Sequence, residues 1–275
     1  MKYRKRRASK KGFAKGKGSR GPSQSLPTIP QRVQKFLAAQ GVGSRRCVEQ
    51  MIRDGRIAIN SKPAQLGDCI SQGDSITLDG RLIQTQTDIT PRVLLYHKPV
   101  GEVCSRKDNN NRPTVFDRLP RLKQGRWVSV GRLDVNTSGL LIFTTDGELA
   151  NQLMHPSHNQ EREYAVRILG ELTAQQKQRL LKGVKLEDGH AKFERIEQAG
   201  GKGRNQWYHV IIKEGRNREV RRLFSSQGLM VSRLIRVRFG ELLLPRDLSR
   251  GNYVEMPSEE VLEMKQDLQQ AVAHD

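Results

Sequence analysis

The chain has 275 residues, with 49 Lys or Arg against 29 Asp or Glu and a formal net charge of +20. That excess goes beyond what solubility requires and implies a polyanionic partner, nucleic acid first and an anionic membrane surface second. No apolar run approaches the roughly 20 residues of a membrane helix, no apolar stretch follows the basic start as a secretory signal would need, and Cys47, Cys69 and Cys104 make no disulfide framework, so the expectation is a cytoplasmic protein without a membrane partner.

Residues 1–29 carry ten Lys or Arg and no acidic residue. Rich in Gly, Ser and Pro, they bury too little apolar surface to order themselves and read as a disordered basic arm. Its "GKGSRG" satisfies GxGxxG, but no strand precedes it, so low complexity explains it better than a dinucleotide site.

Residues 30–80 form a small unit. "QRVQKFLAAQG" sets Val33, Phe36 and Leu37 on one helical face and stops at Gly41. After a Ser44 cap, "RRCVEQMIRDG" turns Val48, Met51 and Ile52 inward. "RIAIN" and "DSITLDG" follow as strands. The exposed charges of this unit, Arg32, Lys35, Arg45, Arg46, Arg53 and Arg56, are nearly all positive, which favours phosphate contact over a merely solvated face. Residues 81–91 read as a polar linker.

Residues 92–257 mix strands and helices without regular βαβ alternation. The strand candidates are "RVLLYHK", "RWVSVGRL", "GLLIFTT", "REYAVRIL", "AKFERIEQ", "NQWYHVIIK" and "VSRLIRVRFGEL". The helix candidates are "GELANQLMH", "TAQQKQRLLKG" with a Thr173 cap and a Gly183 stop, and "NREVRRLFSSQG". The pattern predicts an α+β fold around a mostly antiparallel mixed sheet. Residues 258–275 are a tail or short helix opened by Ser258.

Metal and cofactor chemistry have little support. Of the six histidines only His155 and His158 are close, with Pro156 between them, and HExxH and GxSxG are absent. The expectation is no metal and no bound cofactor. What stands out is "GRLDVNTSGLL", where Arg132 and Asp134 sit two residues apart between an apolar run and a polar corner. An aspartate that only organises the turn is the competing reading. "KEGRNREVRRLF" adds Arg216, Arg218, Arg221 and Arg222 at a strand-to-helix junction, able to aim one arginine at a carboxylate. Tyr164, in "REYAV", suits stacking on a base, or else is a half-buried strand tyrosine.

Taken together, "GRLDVNTSGLLIFTTDG", "REYAV" and "EGRNREVRRLF" resemble the signature motifs of the pseudouridine synthases, preceded by the similar "YHKPVGEVCS" and "RPTVFDRLP". The branch resembled joins an S4 RNA-binding domain to the catalytic domain, and residues 31 to about 78 resemble that S4 module through "GSRR" and "IRDGRIAIN". Within the branch the motifs look most like the type that modifies 23S ribosomal RNA. The resemblance implies Asp134 as the catalytic nucleophile, Arg132 as the residue that fills the space of a flipped base, Tyr164 as its stacking partner and Arg221 as the cation beside the carboxylate. A carboxylate in a dry pocket needs such a cation to stay charged. The expected partner is 23S ribosomal RNA in the large-subunit precursor, bound by a monomer. A 16S-modifying synthase and a non-catalytic ribosome-assembly factor are the alternatives.

Overall fold

The computed structural model describes residues 26–84, 90–155 and 159–273. Nearly all of the basic arm, and residues 85–89 of the expected linker, lie outside them. The chain divides into two compact units, residues 1–34 with 46–87 and residues 35–45 with 88–275.

In the first unit, β1 (Gln31–Arg32) leads into α1 (Val33–Ala39), which spans the change from one unit to the other. Val33, Phe36 and Leu37 are buried as their helical spacing requires, and Gly41 follows at φ +87°. Helix α2 (Arg45–Arg53) buries Val48 and Ile52 and leaves Arg45, Arg46 and Arg53 exposed. Strands β2 (Ile57–Ile59), β3 (Lys62–Pro63), β4 (Cys69–Ile70), β5 (Ile76–Leu78) and β6 (Arg81–Leu82) complete it. β4 pairs with β1, and the others form an antiparallel sheet ordered β3-β2-β5-β6. Arg81 and Leu82, read from sequence as linker, therefore belong to a sheet edge.

The second unit is built on one nine-stranded sheet. Its strands are β7 (Val93–Lys98), β8 (Val128–Val130), β9 (Ser138–Thr144), β10 (Arg162–Leu169), β13 (Arg195–Lys202), β14 (Asn205–Ile212), β15 (Met230–Phe239), β16 (Leu242–Leu243) and β17 (Tyr253–Glu255). β11 (Val184–Leu186) and β12 (Gly189–Ala191) form a separate hairpin. The main path runs β13-β14-β10-β15-β9-β7-β17, with β8 added to β9 and β16 to β15. Every pairing is antiparallel except β15 with β9, where Ile235 and Arg236 face Ser138 and Gly139. The α+β fold with a mostly antiparallel mixed sheet is thus present.

Both faces of this sheet are covered, so its central strand reads as a continuous apolar run. All seven residues of β9 are buried. Along β7, Val93 and Leu95 join a core with Leu140, Ile142 and Leu149, whereas Leu94 and Tyr96 join the opposite core with Leu141, Phe143 and Tyr164. Helices α3 (Gly147–Met154), α4 (Ala174–Lys182), α5 (Glu219–Ser225) and α6 (Ser258–Ala273) flank the sheet. Thr173 caps α4 through a reciprocal bond pair with Gln176. Asp146 caps α3 by accepting the N–H groups of Glu148 and Leu149, and Lys265 of α6 bonds the same carboxylate at 2.7 Å.

Three sequence expectations need correction. "RWVSVGRL" is a strand only at Val128–Val130, because Gly131 turns at φ +75° and takes the chain out of the sheet. "AKFERIEQ" splits between β12 and β13, since one end closes a local hairpin and the other joins the large sheet. The C-terminal helix is 16 residues long rather than short, held by buried Val261 and the Lys265–Asp146 ion pair. Strand β17 left no signal, since three residues on a sheet edge carry almost no periodicity.

Candidate active site

Where the chain leaves β8 it forms the turn 131–137 before entering β9, and this turn carries Arg132 and Asp134. It is built into the protein from three sides. Lys98, at the end of β7 and fully buried, donates from Nζ to the carbonyls of Pro99 (2.9 Å), Asp134 (3.1 Å) and Thr137 (2.9 Å). The backbone N–H of Gly101 donates to Val135 O at 2.8 Å, and Cys104 Sγ sits between the backbone N–H and carbonyl of Leu133. On the helix side, the Gly131 N–H points at Met154 Sδ, 2.8 Å away. Thr137 N–H closes the turn onto Asp134 O at 3.0 Å. Burial pushes the Lys98 ammonium below its ordinary range, opposed by nearby Cys104, Glu102 and Asp134, and pushes the Cys104 thiol up.

The support has its own support. Tyr96 donates to buried Glu102 at 2.6 Å, and Arg118 holds the other oxygen of Glu102 at 2.9 Å. Burial, with Glu102 as hydrogen-bond partner, drives the Tyr96 phenol far above its usual range, so it stays a donor.

The turn forms one wall of a cavity of about 370 Å³, within the size of a small-molecule site. Asp134, Arg132 and Tyr164 all line it, together with Arg162, Arg216, Arg218, Glu219, Arg236 and apolar Leu133, Ile212, Val220, Leu234 and Phe239. Five arginines and two carboxylates are therefore among its lining residues, a balance suited to a polyanion. Residues 132–135 also border a second recess, whose other wall is the loop 103–112. Tyr164 is 8 % exposed, on β10 opposite Arg236 of β15. Arg162 and Arg236 lie over the Phe239 ring at 5.0 and 5.2 Å, so an aromatic floor carries two cations.

Arg221 is placed differently from the sequence expectation. Its guanidinium donates to Val231 O and to Asn136 O, both at 2.9 Å, and makes no ion pair with Asp134. Burial and the neighbouring Arg218 lower its proton affinity, while Asp134 raises it, so the two still feel each other's charge. Arg221 braces the turn two residues beyond the carboxylate instead of gripping the carboxylate.

The residues expected to meet RNA through the small unit divide into two groups. Arg56 holds Asp79 through a two-pronged contact at 2.9 and 2.6 Å, Lys35 is paired with Glu148, and Arg32 donates to Gly67 O. Those three are occupied by protein partners. Among the described residues, Arg45, Arg46 and Arg53 have no ion pair and are exposed on α2. No group of His, Cys, Asp and Glu able to hold a metal occurs among the described residues.

Lys98, Glu219, Arg162 and Arg236 were missed from sequence. Two of them left a signal: Lys98 closes an apolar strand, and Arg236 occupies an inward position of the alternating "LIRVRF" beside buried Leu234. A charge at an inward position is a buried charge, and buried charges need a reason.

Comparison with known proteins gives a consistent picture. Residues 92–226 match the family model described as RNA pseudouridylate synthase, and residues 31–76 match the S4 domain. A Pseudomonas aeruginosa protein named ribosomal large subunit pseudouridine synthase B is 58 % identical over 86 % of this chain and 62 % of that relative, so the match spans less than two thirds of its length. Proteins of the same name from Yersinia pestis (55 % identical, 82 % of this chain, 72 % of the relative) and Escherichia coli K12 (54 %, 83 % and 80 %) are matched over more of their length. A crystal structure of a pseudouridylate synthase superposes with TM-score 0.58 at 28 % identity, covering 85 % of this chain and 99 % of that one.

Proposed function

The chain belongs to the RNA pseudouridylate synthase family, and from that premise we propose that it isomerises one uridine of 23S ribosomal RNA to pseudouridine, with Asp134 as nucleophile. The observation that carries this is the shared cavity: Asp134, Arg132 and Tyr164, drawn from two distant stretches of sequence, line one chamber of base-binding size.

The reaction breaks the N1–C1′ bond and forms a C5–C1′ bond, N1 gains a proton, and C5 gives one up to solvent. A carboxylate serves as nucleophile, holding the fragment covalently while the ring is re-presented. Apolar Leu133, Val220, Leu234 and Phe239 supply part of the lining, against which a seated base displaces water and so limits loss of the intermediate to hydrolysis. The target base must leave its stack, at a cost of a few kcal/mol. Arg132, exposed beside Asp134, occupies the space the base vacates, and Tyr164 stacks on the extruded ring. Arg45, Arg46 and Arg53, with the basic arm, supply sequence-independent and salt-sensitive affinity.

The names of the relatives favour the large-subunit RNA over the 16S alternative, and an intact Asp134, Arg132 and Tyr164 set favours an enzyme over a retired domain. The test is release of tritium from C5 of labelled uridine in 23S and 16S transcripts. Stoichiometric release from 23S, lost in Asp134→Asn with RNA binding retained, is the expected result. Turnover by Asp134→Asn would remove the nucleophile assignment, and release from 16S alone would move the substrate.

A further inference from the structure

The cover over both faces of the large sheet holds at its centre, where one core contains Tyr164 and the other is closed by α3 and α6. Among the described residues, this second cover does not extend over β10 and β14. Tyr164, Val166 and Ile168 of β10, Tyr208, Val210 and Ile212 of β14, and Leu234 of β15 all join the first core, and Tyr164, Ile212 and Leu234 also line the chamber. Alternation along each strand therefore sends Arg167, Trp207 and Arg233 to the opposite side of the sheet, away from the chamber.

These three stand abreast on neighbouring strands, Arg167 facing Trp207 across one pairing and Arg233 across the other. The Arg167 guanidinium lies over the indole at 5.9 Å from its centroid, an electrostatic contact rather than a packed one. The next row is Lys202, Asn205, Leu169 and Met230, with Lys202 exposed, Leu169 39 % exposed and Met230 64 % exposed. Like charges directly opposite each other destabilise a sheet, yet no described carboxylate answers this pair: Arg167 donates to the Ser232 hydroxyl at 2.9 Å, and Arg233 is exposed without an ion pair. The same face does carry a carboxylate two rows away, where Glu163 meets His209 Nδ1 at 2.6 Å and Arg238 Nε at 3.0 Å. The rows around Trp207 thus join three unanswered cations to an aromatic ring and two exposed apolar side chains.

Cations beside an aromatic platform match single-stranded nucleic acid, whose phosphates pair with the former while a base stacks on the latter. The chain's own arm, residues 1–29, carries ten Lys or Arg and no acid and would be repelled. We propose that this face is a second RNA-binding surface, on which a base stacks against Trp207 while Arg167, Arg233 and Lys202 hold its phosphates. It rests on the reading that RNA is the partner, and on no step inside the chamber.

The chain has two tryptophans, and Trp127 is only 5 % exposed, so a ligand on this face quenches Trp207 selectively. The probe is an oligoadenylate of about eight nucleotides, within the usual span of a single-strand site, which offers no uridine to the chamber. Polarisation of its labelled form reads total binding. Saturation should quench the emission of the full chain, and the emission left in Trp207→Leu should not respond. The double variant Arg167→Gln, Arg233→Gln keeps the reporter. Its quench should need more RNA, and its slope of log Kd against log salt should be smaller by about 1.4, from two phosphates at about 0.7 each. Saturated binding without quenching, a quench that survives Trp207→Leu, or an unchanged salt slope would overturn the proposal. So would an oligoglutamate peptide of equal charge that quenches Trp207 as strongly, since the surface would then suit an acidic protein. Thermal melts establish that each variant is folded, and the arginine pair decides the matter if Trp207→Leu is not. Failure of the synthase reading is separately visible, as absence of tritium release by the wild-type protein.

Discussion

Replacing Lys98 with methionine tests whether the catalytic turn is held by one buried ammonium. The substitution keeps length and apolar stem but removes three N–H donors from Pro99 O, Asp134 O and Thr137 O. Charged hydrogen bonds contribute about 1.5–3 kcal/mol each, while relief of the buried charge returns several kcal/mol. Asp134 O also keeps the Thr137 N–H at 3.0 Å. The net destabilisation expected is about 2–3 kcal/mol, which at roughly 2–4 °C per kcal/mol lowers the melting temperature by about 4–12 °C. Activity should suffer more, because a turn displaced by about 1 Å costs on the order of 100-fold in rate. Thermal melts read the first effect, and tritium release at saturating RNA, well below the melting temperature, reads the second. Wild-type kcat in a folded Lys98→Met protein would refute the idea that these bonds position Asp134.

The same lysine sets an alkaline limit. Burial lowers its folded proton affinity, so between that value and the ordinary lysine range near 10.4 the unfolded chain binds more protons and global stability rises with pH. Activity should move the other way, since a neutral amine has two N–H groups for three carbonyls; a pH–rate profile falling below the ordinary lysine range, with no drop in melting temperature, is expected. Gly139→Ala should fail to fold, because at φ +109° its added Cβ would lie 2.2 Å from Arg236 O across the parallel β9–β15 pair; soluble, active protein would contradict that register. Neutralising Arg45, Arg46 and Arg53 together should flatten the salt dependence of RNA binding by about one unit of slope for each phosphate no longer neutralised, while leaving kcat at saturating RNA unchanged. An unaltered slope would remove α2 from the RNA-binding surface.

Much of this molecule could be read from its residues in order. The period-3.6 and period-2 patterns located the central strands and α1 to α5, because amphipathic spacing is a local property. Thr173 and Gly183 bounded α4 for the same reason. Arg132 and Asp134, singled out in the sequence two residues apart, both line the chamber, and a bend at Gly131 rather than a continuing strand leads the chain to them. Tertiary structure decided what the site rests on. Arg221 looked like a partner for a carboxylate, and instead meets the carbonyls of Asn136 and Val231, acceptors that every residue carries and no sequence motif marks. Lys98 ends β7, between β9 and β17, and Arg236 lies on β15 at the centre of the sheet; their apolar surroundings hint at burial, but the carbonyls they meet come from distant segments that no local pattern marks. Which buried polar atoms remain unmatched, Glu219 Oε1 and Arg236 Nη2 among them, depends on every neighbour at once. Composition and periodicity fix what each segment forms, whereas the state of a buried polar atom is fixed only by the packing around it.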